Sequence, residues 1–230
     1  MNRRESLKLG VSLVAGMAVT GSLHGLASEA GKEKDAAQSF LDVIKSRRSV
    51  RQFKPDPVPE EHLLKIVDAA RMAPSAGNDQ PWKFVIVQDK KVIEAIREEW
   101  TRFLEARLIQ EKKLSGAALK LELQKKVDAW IAGRLSAPAY IVVLTDNQST
   151  YPEYNRHDGP LAAGYLLLAA RALGYGTVYM TDSIPVEVTK KVLNIPDRYT
   201  RVCVTPVGVP MAWPTKEKKA LEEFVVKERF

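Results

Sequence analysis

Cysteine and histidine are scarce in this chain of 230 residues. Its single cysteine, Cys203, cannot form an intramolecular disulfide, and its apolar neighbours predict a buried, inert thiol. The three histidines, His24, His62 and His157, lie far apart and show no metal-ligand spacing. The sequence also lacks a Ser/His/Asp or Cys/His constellation. We therefore expect neither a metal site nor a protein nucleophile.

An uninterrupted basic stripe is also missing. The formal net charge of +7 is an excess that nucleic-acid binders share. However, basic residues alternate with acidic ones from Glu94 to Lys126, which is typical of a solvated surface of mixed charge. The fractions of hydrophobic residues (45%) and charged residues (27%) are those of one soluble globular domain, so no nucleic-acid partner is expected.

The N-terminal residues resemble an export signal. A twin-arginine pattern, Arg3-Arg4, precedes an apolar, glycine-containing stretch from Leu9 to Leu26, and small residues that suit cleavage follow. We expect the twin-arginine export machinery as a partner and a periplasmic or otherwise exported location. An uncleaved N-terminal anchor is the alternative. The predicted organisation is an export signal at 1–30, a linker at 31–38 and one domain at 39–230.

Apolar periodicity predicts alternating helices and strands. Ser39 is the expected N-cap of a first helix that ends near Arg47, and Pro59 opens a second helix. Asp158 is the expected N-cap of a long helix that is apolar nearly all round. The continuous apolar run Ala139–Thr145 is typical of a central strand that is covered on both faces. Further strands are predicted at Lys83–Gln88 and Arg201–Val207, with a short strand or loop at Gly176–Thr181.

The stretch from Asp89 to Gly133 is charged and helical in pattern, with a break near Ser115-Gly116. It carries two tryptophans, Trp100 and Trp130, which core packing explains best. Because the stretch inserts between two strands, a lid over a site is the alternative.

Two segments carry candidate binding chemistry. Arg47 to Phe53 contains three arginines and a serine, which suit a phosphate group because guanidinium forks bind its oxygens in bidentate fashion. A surface basic run in ion pairs is the alternative. The glycine- and proline-punctuated loop from Ser75 to Trp82 offers the amides of Asn78 and Gln80, which suit the imide edge of a heterocycle. Ordinary turn chemistry would also account for this loop.

Four segments in order resemble the nitroreductase family of FMN-dependent oxidoreductases, over roughly residues 40–225. They are Arg47–Phe53, Pro74–Trp82, Leu166–Thr177 and Pro206–Pro210. The resemblance implies an α+β fold in which helices wrap a mainly antiparallel sheet. It also implies an intertwined homodimer with FMN at the subunit interface. Many relatives carry a Gln-Asn pair where this chain has Gly164-Tyr165.

The resemblance also implies where FMN binds. The arginine segment (Arg47–Phe53) would face the phosphate, ribityl and pyrimidine groups of FMN. The Asn78 loop (Ser75–Trp82) could reach the flavin across the dimer. The segment after Gly176 would supply backbone donors near N5 of the flavin. Lysines near the C-terminus would add a contact to the phosphate. The predicted cofactor-binding residues are Arg47, Arg48, Ser49, Arg51, Pro74, Ser75, Ala76, Asn78, Gln80, Thr177, Val178, Tyr179, Lys216 and Lys218.

The implied activity is ping-pong hydride transfer through flavin N5, from NAD(P)H or another donor to a nitroaromatic, a quinone or a similar small-molecule acceptor. The export pattern keeps an alternative open, because NAD(P)H is not expected outside the cytoplasm. In that alternative, the protein is an exported flavin-binding redox protein that takes electrons from a protein or quinol partner.

Overall fold

The computed structural model describes residues 38–229. The predicted export signal and all but the last residue of the predicted linker lie outside the described residues. Residues 38–46 are helical (α1), so Ser39 lies inside this helix and the prediction that it is the N-cap was wrong. Within this helix, the carboxylate of Asp42 accepts a hydrogen bond from Gln38 Nε2 at 2.9 Å. No helix among the described residues is long and apolar enough to span a membrane.

Five further α-helices and four strands make up the rest of the described chain. The helices are α2 (Glu60–Ala70), α3 (Lys90–Lys112), α4 (Gly116–Ile131), α5 (Asn155–Ala172) and α6 (Val186–Leu193). The strands are β1 (Trp82–Val87), β2 (Ala139–Asp146), β3 (Gly176–Thr177) and β4 (Tyr199–Gly208). The predicted break in the long helical stretch is confirmed, since Lys113 takes a left-handed conformation (φ 53°) between α3 and α4.

The four strands form one antiparallel sheet in the order β1-β2-β4-β3. Val142 of β2 lies opposite Val85 of β1 and Val204 of β4, so β2 is a central strand, as predicted. A bulge between Val143 and Leu144 shifts the register of the β2–β4 pair. The predicted α+β fold with a mainly antiparallel sheet is confirmed.

Strand β2 is covered on both faces because its side chains alternate between two apolar cores. Ala139, Ile141 and Val143 pack with residues of α2 and α5. Tyr140, Val142 and Leu144 pack with residues of α3 and α6. The fold therefore has an α5 side and an α3 side, and any pocket beside the sheet belongs to one of them.

The arginine segment extends the sheet beyond β3. Ser49 forms a parallel bridge with Thr177, and Val50 N donates to Thr177 O at 2.9 Å. Further along, Phe53 bridges Pro210 in the antiparallel sense. The chain after α1 is therefore extended, as predicted, and runs along the outer edge of the sheet.

Helix α5 begins earlier than predicted, at Asn155. Asp158 is buried within the helix, and its Oδ2 accepts a hydrogen bond from Ala76 N at 3.2 Å, so the prediction that it is the N-cap was wrong. A carboxylate that looked like a local cap thus forms a long-range contact with the Asn78 loop.

Two glycines of α5 give a matched test of this packing. A Cβ at Gly159 would lie 2.5 Å from Val202 Cγ2 and 2.9 Å from Thr145 Cγ2, whereas a Cβ at Gly164 would meet no atom within 4 Å. We expect Gly159→Ala to lower the free energy of unfolding by about 1–3 kcal/mol through overpacking. Gly164→Ala should raise it by up to about 1 kcal/mol through helix propensity. Urea unfolding measures both, and equal effects of the two substitutions would contradict the close seating of α5 on the sheet.

Candidate functional site

An open groove of about 470 Å³ lies on the α5 side of the described chain. One wall consists of the arginine segment and the chain after β3, which contribute Arg47, Ser49 and Tyr179. The other wall is the outward face of α5, including Leu161 and Tyr165. The groove thus combines one basic, hydroxyl-bearing wall with one apolar wall.

Backbone hydrogen bonds position the two residues of the arginine segment that line the groove, Arg47 and Ser49. Helix α1 ends as Arg47 N donates to Val43 O at 3.0 Å, and the bridge of Ser49 to Thr177 then fixes the extended chain. Just before this point, Ser46 Oγ accepts a hydrogen bond from Arg171 Nε at 3.0 Å. The guanidinium of Arg171 also lies 3.9 Å from the centre of the Trp213 ring. Arg171 therefore holds the end of α1, α5 and the chain after β4 together beside the groove.

The other two arginines of the segment are placed differently. Arg48 Nη1 donates to Lys45 O at 2.6 Å and to Arg47 O at 3.0 Å, which satisfies carbonyl groups at the end of α1. Its Nε is buried and has no partner within the described chain. Arg51 is exposed, with only a long contact of 3.4 Å from Nη1 to Ser49 O, and does not line the groove. The structure therefore brings Arg47 and Ser49 into one groove but not Arg51.

Gly164 lies in the apolar wall and leaves that part of the groove without a side chain. A Cβ there would meet no atom within 4 Å, so its position points into open space. The glycine leaves room for a flat molecule against the apolar wall. In the sequence, Gly164-Tyr165 had been noted only as a departure from the pattern of relatives. Its helical spacing from Leu161 and Leu168 could have identified a gap in that face.

The Asn78 loop has a defined backbone but exposed side chains. Asn78 and Gln80 have positive φ angles of 58° and 52°. Ser75 Oγ accepts from Gln80 N at 2.9 Å, and Gln80 Nε2 donates to Asn78 O at 3.1 Å. Through Ala76 the loop rests on the start of α5, and none of its residues lines the groove. The single chain therefore does not bring the two predicted motifs into one pocket.

The remaining predicted residues take different places. Thr177 and Val178 are buried, and Thr177 O is already paired with Val50, while burial raises the pKa of Tyr179 beside the groove. Lys216 and Lys218 lie in an exposed C-terminal segment and do not line the groove. The binding roles of all fourteen residues remain predictions.

Side-chain chemistry elsewhere does not compete with this groove. The described residues contain no cluster of metal-ligating side chains. Cys203 is fully buried, and burial raises the pKa of its thiol to about 11, which keeps it protonated near neutral pH. Tyr140 is buried and donates from its hydroxyl to Arg134 O at 3.3 Å, and burial raises its pKa strongly. Neither residue is placed to react with a substrate.

Arg171 and Trp213 were not predicted from the sequence. The available signal was a charged residue near the end of a helix that is otherwise apolar nearly all round. Such a residue needs a partner, but the sequence does not reveal that Ser46 and Trp213 supply it.

These features define an α+β protein with a groove that suits a flat, anionic ligand. Comparison with known proteins identifies the family to which this fold belongs. The model of the nitroreductase family matches residues 44–209. The chain is 33% identical to 5,6-dimethylbenzimidazole synthase of Rhodospirillum rubrum over 193 residues, which cover 78% of this chain and 85% of the relative. It is 34% identical to iodotyrosine deiodinase of Thermotoga neapolitana over 171 residues, which cover 74% and 88%. The chain belongs to the nitroreductase family.

A solved structure supports the same conclusion. Oxidised iodotyrosine deiodinase, bound to FMN and 3-iodo-L-tyrosine, superimposes with a TM-score of 0.65 at 31% sequence identity. The match covers 83% of this chain and 99% of that one. The relatives thus include enzymes with different reactions on a shared fold.

An ion pair fixes the connection between β2 and α5. Asp146 Oδ1 accepts from Arg198 Nε at 3.1 Å and from Gln148 N at 2.9 Å, and Arg198 Nη2 contacts Oδ2. These contacts, chiefly the hydrogen bond from Arg198, lower the pKa of Asp146. Asp146 N also donates to Pro81 O at 2.8 Å. The ion pair therefore helps to hold the end of the Asn78 loop against β2.

We expect this ion pair to make stability pH-dependent in acid. A lowered pKa in the folded state stabilises the fold above the ordinary value of 3.8, and the contribution is lost as the pH falls below it. Asp146→Asn should therefore lower Tm near neutral pH, and the difference from the parent should narrow below pH 3.8. Calorimetry across this pH range measures the difference in Tm. The control is Asp56→Asn, which lies in an exposed loop. A difference independent of pH would show that the carboxylate charge contributes nothing.

Proposed function

We propose that this protein is an exported FMN-dependent oxidoreductase of the nitroreductase family. The observation that carries the proposal is the groove in which Arg47, Ser49 and Tyr179 face the glycine gap of α5. Its volume of about 470 Å³ lies within the range of small-molecule sites, roughly 300–1,000 Å³. FMN, which a solved relative at 31% identity contains, has the flat ring and the anionic phosphate that such a groove suits.

The residues of the groove would hold the cofactor. Arg47 would bind phosphate oxygens through its guanidinium fork, and Ser49 would add a hydroxyl bond. Arg48 does not line the groove, and its bonds to Lys45 O and Arg47 O would hold the end of α1 beside the cofactor. When bound, FMN supplies hydride-transfer chemistry at N5 of its ring. Leu161 and Tyr165 would shield that ring from water. Arg51, which lies outside the groove of the single chain, would add positive charge near the pyrimidine from a longer distance.

A homodimer would complete the site. Members of the family are typically homodimers. In the single chain the groove is open, Leu161 is 46% exposed and Tyr165 is 43% exposed, an apolar surface that a second subunit would cover. The exposed amides of Asn78 and Gln80 would then reach the flavin of the partner. This arrangement accounts for the separation of the two motifs within one chain.

The acceptor that we propose is a nitroaromatic, a quinone or a similar small molecule, with NAD(P)H or another small-molecule donor. A second candidate function is supported by the Arg3-Arg4 pattern, because an exported protein would not meet NAD(P)H. In that case, an exported flavoprotein would take electrons from a protein or quinol partner. The two candidates share the groove and differ only in the donor.

The role of Arg47 can be tested by FMN affinity. A hydrogen bond to a charged group contributes about 1.5–3 kcal/mol, so Arg47→Ala should weaken FMN binding by roughly tenfold or more. The measurement is the quenching of FMN fluorescence on reconstitution. Arg71→Ala is the matched control, since Arg71 lies exposed just after α2 in an ion pair with Asp68. An unchanged FMN affinity in Arg47→Ala would show that Arg47 does not bind the phosphate.

The function itself can be tested with protein recovered from the exported fraction. It should be yellow, should release FMN on denaturation, and should be reduced anaerobically by NADH or NADPH and reoxidised by nitroaromatics or quinones. Reduction by a quinol but by neither nicotinamide would favour the second candidate. Colourless protein that does not take up added FMN would overturn both, and absence from the exported fraction would overturn export alone.

A further inference from the structure

A second cavity, of about 200 Å³, lies on the α3 side of the sheet. It is bounded by α3, α4 and the chain from Asp182 to Pro185. Its wall residue Trp100 belongs to the core on the α3 side, whereas the groove residues Leu167 and Tyr179 pack against the opposite core. The cavity and the groove have no lining residue in common. The cavity is therefore a separate pocket within one subunit.

Aromatic side chains build the wall of this cavity. Trp100, Phe103 and Leu104 are spaced so that they share one face of α3, and Trp130 faces them from α4. The rings of Trp100 and Trp130 lie 4.6 Å apart, centre to centre, at an angle of 31°. Trp100 is buried, but Phe103 is 36% exposed. Core packing thus explains the position of Trp100, whereas Phe103 presents an aromatic surface to open space.

Positive charge lies at the mouth of the cavity. Arg107 follows Phe103 and Leu104 on the same face of α3, and Lys126 lies one turn before Trp130 on α4. Arg107 donates to the carboxylate of Glu111 from Nε, at 2.9 and 3.0 Å, and no bond from its Nη atoms is found among the described residues. Lys126 Nζ lies 3.4 Å from Glu122 in an exposed ion pair.

These ion pairs do not block an anionic ligand. Exposed pairs of this kind contribute only about 0.2–1 kcal/mol, so both cations can exchange partners. Asp182 is the acidic residue of the lining, and Glu111 and Glu122 lie against the two cations, so an anionic ligand would take the place of these glutamates. A ligand with one aromatic ring and one anionic group matches the wall and the mouth together.

We propose that this cavity binds a small aromatic carboxylate. The ring would lie against Phe103 and Trp130, and the carboxylate would meet Arg107 and Lys126. The size agrees, because an apolar cavity of about 150 Å³ holds benzene and this one has room for a substituent. The site is independent of the flavin groove and takes its ligand from the α3 side.

The probe for this site is 4-fluorobenzoate, followed by fluorine NMR on the flavin-loaded protein, with neutral 4-fluorobenzamide as the uncharged comparison. We expect the double substitution Arg107→Gln/Lys126→Gln to weaken 4-fluorobenzoate binding roughly fivefold or more and to leave the amide unaffected. The matched control is Arg102→Gln/Lys125→Gln, which removes two positive charges from the same helices at exposed positions outside the cavity.

Three results would overturn the proposal. The first is that the benzoate binds no better than the amide. The second is that both double variants weaken binding equally, because only net charge would then matter. The third is that Arg47→Ala abolishes binding while the cavity variant retains it, which would place the ligand in the flavin groove. Trp130→Leu is a second variant of the cavity wall, and it should weaken the binding of both probes.

Discussion

The candidate site depends on one backbone pairing, in which Val50 N donates to Thr177 O and Ser49 bridges Thr177. This pairing fixes the arginine segment at the edge of a strand that is only two residues long. Close packing makes it possible, because a Cβ at Gly176 would lie 2.7 Å from the side chain of Val50. A larger residue at Gly176 would push the segment outward, and Arg47 would leave the groove with it.

The two sides of the sheet carry different kinds of pocket. On the α5 side, a basic wall faces an apolar helix across the groove. On the α3 side, aromatic residues that first suggested only core packing also line a cavity with cations at its mouth. The chain after β3 borders both regions, since Tyr179 lines the groove and Asp182 lines the cavity. The bend at residues 181–184 carries the chain from one region to the other.

Much of the fold followed from local patterns in the sequence. The apolar run of β2 predicted a strand covered on both faces, and Ser115-Gly116 marked the break between α3 and α4. The errors arose where a polar side chain binds across the fold. Asp158 has the character of a helix cap but accepts a bond from Ala76 N, and Arg171 needs Ser46 and Trp213. The arginine segment was recognised as a candidate site, whereas its position in the same groove as Gly164 required coordinates.

The position of β3 in the sheet also constrains when the groove can form. Ser49 and Thr177 are separated by more than half of the chain, and Thr177 in turn pairs with Val207 of β4. Contacts between such distant residues form late, since the loop between them must close first. During synthesis the arginine segment emerges early and must wait for β4 to leave the ribosome. The groove is therefore a product of the completed sheet, and a ligand that fits it can be captured only after β4 has paired.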